Sequence, residues 1–268
     1  MNEHESTHPP KKVSKKKHGC LLPLLLFIVL IGIIAFFAFR FSVKGAFSKI
    51  KKYPLDKSNV TVNDTDANIK DYQNIALFGV DSQDNKITDT GSRTDCIIIA
   101  SIHKSNHKVK LMSIYRDTYV SIDGEYDKIN AAYSYGGPEL ALRTINRNLD
   151  LNITDFATVN FKALADAVDV LGGIPLTITS EKELKNLNDY IGNMNHINGG
   201  NSPKFDKVGT YTFDGNQAVA YSRIRYMEGG DHARANHQRL VLEGIMNAAK
   251  KQPFKLGKLI STVLPQCK

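Results

Sequence analysis

The 268-residue sequence is poor in cysteine and lacks two motifs that mark common enzyme classes. Its three cysteines, Cys20, Cys96 and Cys267, are too few and too widely spaced for a disulfide framework, and no two of them form a CxxC pair. The sequence also contains neither a P-loop nor a GxSxG motif. These absences argue against a disulfide-rich secreted module, a P-loop NTPase and a serine hydrolase.

An excess of positive charge is also missing from most of the chain. The net charge is +8, but ten of the 35 Lys and Arg residues and only two of the 27 Asp and Glu residues fall in residues 1–52. The remaining 216 residues therefore carry 25 charges of each sign. Because nucleic-acid binding depends on clustered positive charge, this neutral block argues against a nucleic-acid partner.

Residues 21–39 form a run of nineteen positions without a charge, LLPLLLFIVLIGIIAFFAF. At about 1.5 Å per residue a helix of this length spans roughly 28 Å, close to the hydrocarbon thickness of a bilayer. A cleaved signal peptide is the alternative, but the run is longer than such segments and no small-x-small site follows it. We expect a cytoplasmic tail (1–20), a signal anchor (21–39), an extracellular stalk (40–70) and an extracellular domain (71–268), although basic residues on the two sides of the span are equal in number.

Apolar runs and helical periods alternate along the rest of the chain and predict an α/β or mixed α+β domain. The predicted strands are 74–80, 96–102, 108–115, 156–160 and 174–179. The predicted helices are 138–148, with a proline in its first turn, 161–171, ended by two glycines, 214–223 and 231–250. The Asn- and Gly-rich residues 185–207 suggest a long surface excursion, and an amphipathic stretch runs from Pro253 to the end.

Charged side chains follow or precede several of the predicted strands. Asp81 follows the first strand directly, and Arg93 and Asp95 stand just before the second. Two carboxylates with an intervening arginine suit a Mg²⁺ ion held against phosphate oxygens, although each aspartate alone is typical of a turn or cap. Arg116 ends the third strand, where Asp117 either orients it toward an anion or forms an ordinary ion pair.

A second group of polar residues lies late in the chain. Arg223 and Arg225 share a face of an extended segment, which indicates an anion ligand or a solvated basic face. Asp231 is expected to cap the next helix, where Arg234, Gln238, Val241 and Ile245 share one stripe. Because buried Arg and Gln need partners, the stripe predicts a polar cavity at the helix start, with an Asp231–Arg234 pair as the alternative. Lys128 lies in a polar segment that either lines a site or is an ordinary loop.

Six of these motifs occur in one order: GVD (79–81), SRTD (92–95), SIYRDT (113–118), KINAAYSYGG (128–137), AVAYSRIRY (218–226) and GGDHAR with a following Gln (229–238). This series resembles the LytR-CpsA-Psr family of membrane-anchored proteins, found mainly in Gram-positive bacteria. The resemblance covers residues 71–250 and implies a central mixed sheet flanked by helices, with a hydrophobic tunnel for a lipid tail. It also implies a cell-membrane enzyme with its domain outside the cell.

The activity that the resemblance implies is phosphotransfer of a glycan polymer, such as wall teichoic acid or capsular polysaccharide, from a polyprenyl-pyrophosphate carrier to peptidoglycan. Asp81 and Asp95 match the acids associated with Mg²⁺, for which Mn²⁺ is a substitute. The pyrophosphate-binding residues that it implies are Arg93, Arg116, Arg223, Arg225 and Gln238, and Asp231 and Arg234 match the acid and arginine that begin the late helix. We expect Arg234 and Lys128 to bind the pyrophosphate as well. Arg116, Arg225 and Asp231 are the expected catalytic residues, with Asp231 or Asp95 accepting the proton of the acceptor hydroxyl.

This chain departs from the family pattern at two points. His237 stands where the family usually has an arginine, and the chain stops at Lys268, where relatives commonly continue through a further strand and helix. The sequence leaves open a tethered pyrophosphatase or phosphodiesterase that uses water as acceptor, and a non-catalytic envelope regulator that binds polyprenyl phosphate. It also leaves open the identity of the glycan and the oligomeric state.

Overall fold

The computed structural model describes residues 53–56, 58–60, 63, 71–80, 87–88, 90–106 and 108–267. The predicted tail and signal anchor, and the predicted metal ligand Asp81, lie outside these residues. Within the described part of the chain, none of the helices has the length and apolar character that a membrane span requires. Val60, in the predicted stalk, is buried in a core of the domain, so packing against the domain begins before the first strand.

A four-stranded mixed sheet forms the centre of the domain, in the order β3-β2-β1-β6. Its strands are β1 (Tyr72–Val80), β2 (Thr94–His103), β3 (Val109–Ile114) and β6 (Asp155–Val159). The first three pair antiparallel, and β6 pairs parallel to β1. The prediction of a mixed α/β domain with strands in these regions is confirmed.

Two short antiparallel ribbons accompany the sheet. One joins β4 (Tyr119–Ile122) to β5 (Glu125–Lys128), and the other joins β7 (Ile174–Ile178) to β8 (Gly209–Phe213). Strands β4, β5 and β8 were not predicted, because four or five residues with mixed polarity give too short a pattern to stand out.

The first helix, α1 (Ala131–Leu149), begins earlier than predicted and is kinked. Gly136 and Gly137 have non-helical backbone angles directly before Pro138. Proline lacks an N–H group and its ring clashes with the preceding turn, so a break at this position has a clear cause. The predicted helix with proline in its first turn is therefore the second half of α1.

Helices α2 (Phe161–Leu171) and α3 (Glu181–Asn198) have well-defined ends. The Asn160 side chain caps α2, which ends at Gly172 in the left-handed conformation, as predicted. The predicted surface excursion was wrong over most of its length, because α3 continues to Asn198. The residues that hold α3 recur at helical spacing and are buried, namely Leu184, Leu187, Ile191 and Met194.

The last helices are α4 (Gly215–Arg223), α5 (Asp231–Lys251) and α6 (Leu256–Val263), with a 3₁₀ turn before and after α6. A capping box between Asp214 and Gln217 begins α4. Asp231 is not the cap of α5 as predicted, because Gly230 occupies that position and Asp231 is the first helical residue. Its carboxylate is thereby available to contact arginine side chains.

Candidate active site

The site begins where two neighbouring strands of the sheet end at the same edge. Strand β2 pairs antiparallel with β3, and the register places Ile97 opposite Ile114. Beyond this pair, Asp95 lies near the start of β2 and Arg116 just beyond the end of β3, so the two strands bring this acid and base to the same edge of the sheet. The pairing of β2 with β1 shifts by one residue at Asp95, because Gly79 pairs with Cys96 and Val80 with Thr94, and such irregularities commonly re-aim a side chain beside a site.

Asp95 is bonded to two arginines that are distant in sequence. Its Oδ1 accepts a hydrogen bond of 2.6 Å from Nη1 of Arg116, and its Oδ2 accepts one of 3.2 Å from Nη2 of Arg225. Its backbone carbonyl also accepts a weaker bond of 3.4 Å from Nε2 of Gln238. Asp95 therefore holds together the edge of the sheet, the segment after α4, and α5.

The start of α5 completes this arginine cluster. Asp231 forms an ion pair with Nη2 of Arg234, one turn along the helix, and its Oδ1 lies 3.8 Å from Nε of Arg116. Arg234 is only 3% exposed. Burial lowers the pKa of Arg234, and the nearby positive charge of Arg116 lowers it further.

Two buried N–H groups of this cluster make no hydrogen bond within the described residues, Nε of Arg116 and Nη1 of Arg234. A buried donor without a partner is costly, and the cost is higher for a charged group. An anion bound between the two side chains would satisfy both groups. The cluster is therefore organised for an anionic ligand that contributes the missing acceptors.

An apolar cavity of about 310 Å³ opens beside the arginine cluster. Asp95, Arg225, Arg234 and Gln238 line one part of it. The remainder is lined mainly by apolar side chains of β1, β2, β6, α2, α5 and α6, among them Leu77, Ile98, Ala167, Val241, Ile245, Leu259 and Val263. Arg234 and Ile245 are eleven residues apart on α5, so this wall is roughly 16 Å long.

The predicted stripe on α5 therefore faces this cavity, since Arg234, Gln238, Val241 and Ile245 all line it. Arg223 lines it too, but its guanidinium packs 4.4 Å from the ring centre of Phe161 and donates to Oδ1 of Asn193. A cavity with an apolar body and a cationic mouth suits an amphiphile with an anionic head group.

The structure places the other predicted pyrophosphate ligands at the margin. Lys128 forms a 3.0 Å ion pair with Asp117, which in turn lies 3.7 Å from Nε of Arg116. Arg93 is exposed, and its charge contributes to the lowered pKa of Asp127, behind the hydrogen bonds from Tyr135 and the Lys128 amide. Asp117 thus links Lys128 to the cluster, whereas Arg93 faces the β4–β5 ribbon.

Sequence reasoning missed a pair of side chains on the rim of the cluster. Tyr115 and His232 contact each other through Oη and Nδ1 at 2.5 Å, with ring centres 4.2 Å apart. Tyr115 directly precedes Arg116, and His232 directly follows Asp231. The Tyr115–His232 and Arg116–Asp231 contacts therefore join the end of β3 to the start of α5. The signal in the sequence was only that both residues adjoin residues already singled out.

His237, at the departure from the family pattern, faces away from the anion cluster into the protein. Its Nε2 lies 2.8 Å from Oε1 of Glu183 on α3, and its ring packs 4.4 Å from that of Tyr221. Burial and the charge of Glu183 raise the pKa of Tyr221. His237 is therefore part of a buried polar contact between α5 and α3.

Cys96 lines the cavity, and burial raises the pKa of its thiol to about 12. A thiol with such a pKa is protonated at neutral pH, and the thiolate is the nucleophilic form. Cys96 is therefore part of the apolar wall, and the site has the character of a phosphate-binding site rather than that of a cysteine-dependent enzyme.

The residues at the mouth also fit a divalent cation. No group of three or more His, Cys, Asp and Glu side chains comes together in the part of the chain that the structure describes. Mg²⁺, however, is commonly bound by one or two carboxylates whose oxygens are supplemented by substrate phosphates. Asp95 brings one carboxylate to the cavity mouth, and each of its oxygens accepts one arginine hydrogen bond and keeps a lone pair for a cation.

The cavity and its guanidinium mouth define a protein that binds a molecule with an apolar chain and an anionic head. The chain belongs to the LytR_cpsA_psr family, whose model matches residues 37–267.

Two curated relatives are transferases by name. The polyisoprenyl-teichoic acid–peptidoglycan teichoic acid transferase TagU of Enterococcus faecalis is 31% identical over 239 residues, which cover 88% of this chain and 71% of the relative. The transferase TagT of Bacillus subtilis, named for the same reaction, is 28% identical over 257 residues, covering 93% and 76%.

Solved structures agree with this assignment. The crystal structure of B. subtilis TagT has a TM-score of 0.58 and 27% identity to this chain, covering 78% of it and 82% of TagT. A LytR-CPS2A-psr family protein, YwtF (TagT), with bound octaprenyl pyrophosphate lipid, has a TM-score of 0.56 and 27% identity, with the same coverage. A polyprenyl pyrophosphate is an amphiphile of the kind that the cavity suits.

Proposed function

We propose that this protein transfers a glycan polymer, of the teichoic acid or capsular type, from a polyprenyl-pyrophosphate carrier to peptidoglycan. The observation that carries the proposal is an arginine cluster with two unsatisfied, buried N–H groups beside an apolar cavity: Arg234 lines the cavity, and Arg116 bonds to Asp95 of its lining. The relatives that are named as polyisoprenyl-teichoic acid–peptidoglycan transferases support it.

In this proposal the prenyl chain occupies the apolar part of the cavity and the pyrophosphate lies among Arg116, Arg225 and Arg234. Burial of the apolar chain favours binding, and the guanidinium groups compensate the charge of the head group. Arg223, Lys128 and Arg93 are proposed to contribute positive charge around this cluster, and Gln238 an amide donor.

The reaction forms one P–O bond and breaks another. The oxygen of an acceptor hydroxyl attacks the phosphorus that carries the glycan, and the bond from that phosphorus to the bridging oxygen breaks. The glycan is then joined to the acceptor through a phosphodiester, and polyprenyl phosphate leaves with the bridging oxygen. Fixed guanidinium groups stabilise the negative charge of the transition state and of the leaving group.

Asp231 is proposed to accept the proton of the attacking hydroxyl. Asp95 receives hydrogen bonds from arginines on both of its carboxylate oxygens, whereas the two ion pairs that Asp231 forms among the described residues use Oδ1. Asp231 is therefore the carboxylate of the mouth with more capacity for a new hydrogen bond.

A divalent cation is proposed as cofactor, Mg²⁺ or in its place Mn²⁺, held by Asp95 together with Asp81. When bound, it would supply positive charge to the phosphate oxygens. The chemistry of the donor set supports this, since carboxylate and phosphate oxygens are the ligands that Mg²⁺ prefers.

The protein is proposed to be anchored in the cell membrane of a Gram-positive bacterium, with residues 1–20 in the cytoplasm, 21–39 in the bilayer, and 71–268 outside the cell. The nineteen uncharged residues support the anchor. The relatives from Enterococcus and Bacillus support the envelope setting.

The experiment that tests the function is a transfer assay with the purified full chain, a labelled polyprenyl-pyrophosphate glycan and peptidoglycan oligosaccharides. The expected product is a phosphodiester-linked conjugate, detected by mass spectrometry. Arg116→Ala is expected to lower kcat by about 100-fold or more, the usual effect of removing a donor to the transition state. Lys185→Ala is the control, because Lys185 is an exposed basic residue of α3 that pairs with Asp189, away from both cavities.

Two results would contradict the proposal. Release of free phosphorylated glycan with no conjugate would identify a pyrophosphatase or phosphodiesterase that uses water. Binding of the lipid without any turnover, unchanged by Arg116→Ala, would identify a non-catalytic binding protein.

A further inference from the structure

The β4–β5 ribbon presents two tyrosine rings to solvent beside the proposed active site. Tyr119 is 70% exposed and Tyr126 is 65% exposed. Their rings stack with centres 5.7 Å apart and planes inclined by 29°. The register places Tyr119 opposite Lys128 and Tyr126 opposite Ser121, so these four side chains share one face of the ribbon.

A cross-strand aromatic pair stabilises a ribbon on its own, so the stacking alone does not indicate a ligand. The ribbon, however, is already held by Val120 and Ile122, which are buried in the core on its other face. Two large rings left in solvent on the outer face form an apolar patch, and such patches mark binding surfaces.

A second cavity, of about 450 Å³, adjoins the tyrosine pair and carries polar groups. Tyr126 belongs both to the stacked pair and to the cavity lining, together with Asp127 and Tyr135. The Tyr135 hydroxyl donates to Oδ2 of Asp127 at 2.6 Å, and this bond is the main cause of the lowered pKa of Asp127. Asp127 pairs with Val120 and so lies on the opposite face of the ribbon from the rings; Tyr126, which lines the cavity, joins the two. A saccharide whose C–H face stacks on the rings can extend past Tyr126, where its hydroxyls bond to the carboxylate and phenol groups.

The tyrosine face is continuous with the catalytic cluster. Lys128, on the same face as the rings, bonds to Asp117 at 3.0 Å, and Asp117 lies 3.7 Å from Nε of Arg116. A chain that lies across Tyr126 and Tyr119 is therefore led toward the guanidinium groups where the transfer is proposed to occur.

The charge of this surface bears on which glycan it binds, the donor polymer or the acceptor strand of peptidoglycan. Residues 117–128 contain four acidic side chains, Asp117, Asp123, Glu125 and Asp127, and one basic side chain, Lys128. The arginines nearest to the ribbon on α1, Arg143 and Arg147, both bond to Asp123. Together with Arg93 and Lys128 they balance these four acids, so the surface has no positive excess to attract a polyanionic glycan, whereas an N-acetylhexosamine strand can stack on the rings without charge.

We propose that Tyr119, Tyr126 and the adjoining cavity form a subsite for the acceptor glycan strand, an N-acetylhexosamine polymer. This inference rests on the proposed transfer function for its biological role, because it names the surface that holds the acceptor. Binding of the sugar itself does not depend on turnover.

The test uses the full chain in detergent and chitotetraose, an uncharged N-acetylglucosamine oligomer, with binding measured by calorimetry. The double variant Tyr119→Ala/Tyr126→Ala is expected to bind about tenfold more weakly. Tyr119→Phe/Tyr126→Phe, which keeps both rings, is expected to bind within about twofold of the parent chain. Tyr119→Leu/Tyr126→Leu keeps apolar bulk on the ribbon but has no ring face, and is expected to lose affinity as the alanine variant does.

Phe254→Ala is the matched control, since Phe254 is 77% exposed and follows the far end of α5. In the transfer assay the alanine variant is expected to raise KM for the acceptor while KM for the lipid-linked donor stays constant. Unchanged chitotetraose binding in the alanine and leucine variants would overturn the inference.

Two other outcomes would overturn it in favour of a different ligand. A raised KM for the donor, with weaker binding of poly(glycerol phosphate), would assign the rings to the donor glycan. Weaker binding to phosphatidylglycerol vesicles, with chitotetraose binding intact, would assign them to the membrane surface. If chitotetraose binds through the tyrosines but no conjugate forms, the subsite stands and the proposed transfer function fails.

Discussion

Asp95 and Arg225 are 130 positions apart in the sequence, and their side chains meet at 3.2 Å at the mouth of the cavity. Because Asp95 also bonds to Arg116, one carboxylate fixes two guanidinium groups at the position proposed for the pyrophosphate. Groups that are fixed before the substrate arrives need no reorganisation during the reaction, which is the basis of electrostatic catalysis.

Replacing Asp95 tests this organising role. Asp95→Asn keeps the shape of the side chain but removes the charge that pairs with both arginines and that is proposed to bind Mg²⁺. We expect kcat/KM for the donor to fall by about 100-fold and the Mg²⁺ concentration for half-maximal rate to rise. Steady-state rates across a Mg²⁺ titration provide the measurement.

Asp189→Asn serves as the control, because Asp189 is exposed on α3 and pairs only loosely with Lys185, at 3.9 Å. The parent chain is expected to lose activity when EDTA removes the cation and to regain it on addition of Mg²⁺. Full activity of the Asp95 variant at the Mg²⁺ concentration that the parent needs would show that Asp95 neither binds the cation nor positions the arginines.

A second prediction concerns binding of the prenyl chain in the apolar cavity. Ile245 lines the cavity, so Ile245→Trp is expected to fill part of it and to weaken binding of a polyprenyl-pyrophosphate donor by about tenfold or more. Binding is measured with a fluorescent polyprenyl pyrophosphate.

Leu240→Trp is the control for the cavity, since Leu240 lies on the exposed side of the same helix. A donor analogue with a single prenyl unit should discriminate less between the two variants. Equal donor affinity in both variants would mean that the chain does not occupy this cavity.

The buried contact between Glu183 and His237 predicts a pH dependence of stability. Burial alone would raise the pKa of Glu183, but hydrogen bonds from His237 and Thr179 outweigh it and lower the pKa from 4.5 to about 2. Since the folded-state pKa is the lower one, this group stabilises the fold above about pH 4.5, and the contribution is lost as the pH falls toward 2.

Glu183→Gln is therefore expected to reduce the free energy of unfolding by about 3 kcal/mol at pH 7, and by progressively less between pH 4.5 and 2. Urea unfolding followed by circular dichroism at several pH values measures the difference. Glu181→Gln, an exposed acid in the first turn of the same helix, is expected to change stability little at any pH. A difference that stays constant between pH 7 and pH 3 would contradict this assignment.

The sequence pattern predicted the parts of the fold where one periodicity dominates. Helix α2 is an example, because its apolar period, its cap and its terminal glycines all agree. The stripe on α5 was predictable in the same way, since Arg234 and Gln238 continue an apolar face that contains Val241. Polar residues at core positions are conspicuous in a sequence when the helix around them is regular.

The sequence pattern did not predict a helix whose composition conceals its apolar period, nor contacts between residues that are distant in the sequence. In α3 the many asparagines hid buried positions such as Leu187 and Ile191. The Asp95–Arg225 contact depends on how α4 and α5 pack against the sheet, and no local period reports on that. Lys128 and Arg93 show the opposite error, since both belong to sequence motifs but lie at the margin of the arginine cluster.

The contact between α2 and α4 gives a final prediction, on a glycine that the packing requires. A Cβ atom at Gly215, the first residue of α4, would clash with the backbone carbonyl oxygen of Ala165 on α2. Backbone atoms cannot rotate away as a side chain can, so Gly215→Ala must push the helices apart. We expect it to lower the free energy of unfolding by about 2 kcal/mol, as measured by urea denaturation.

Gly192 of α3 is the matched control, because a Cβ there meets nothing within 4 Å. Gly192→Ala is expected to raise stability by about 0.5–1 kcal/mol through its better helix propensity. If both substitutions stabilised the protein, the close approach of α4 to α2 would be wrong, and with it the wall that α2 contributes to the lipid cavity.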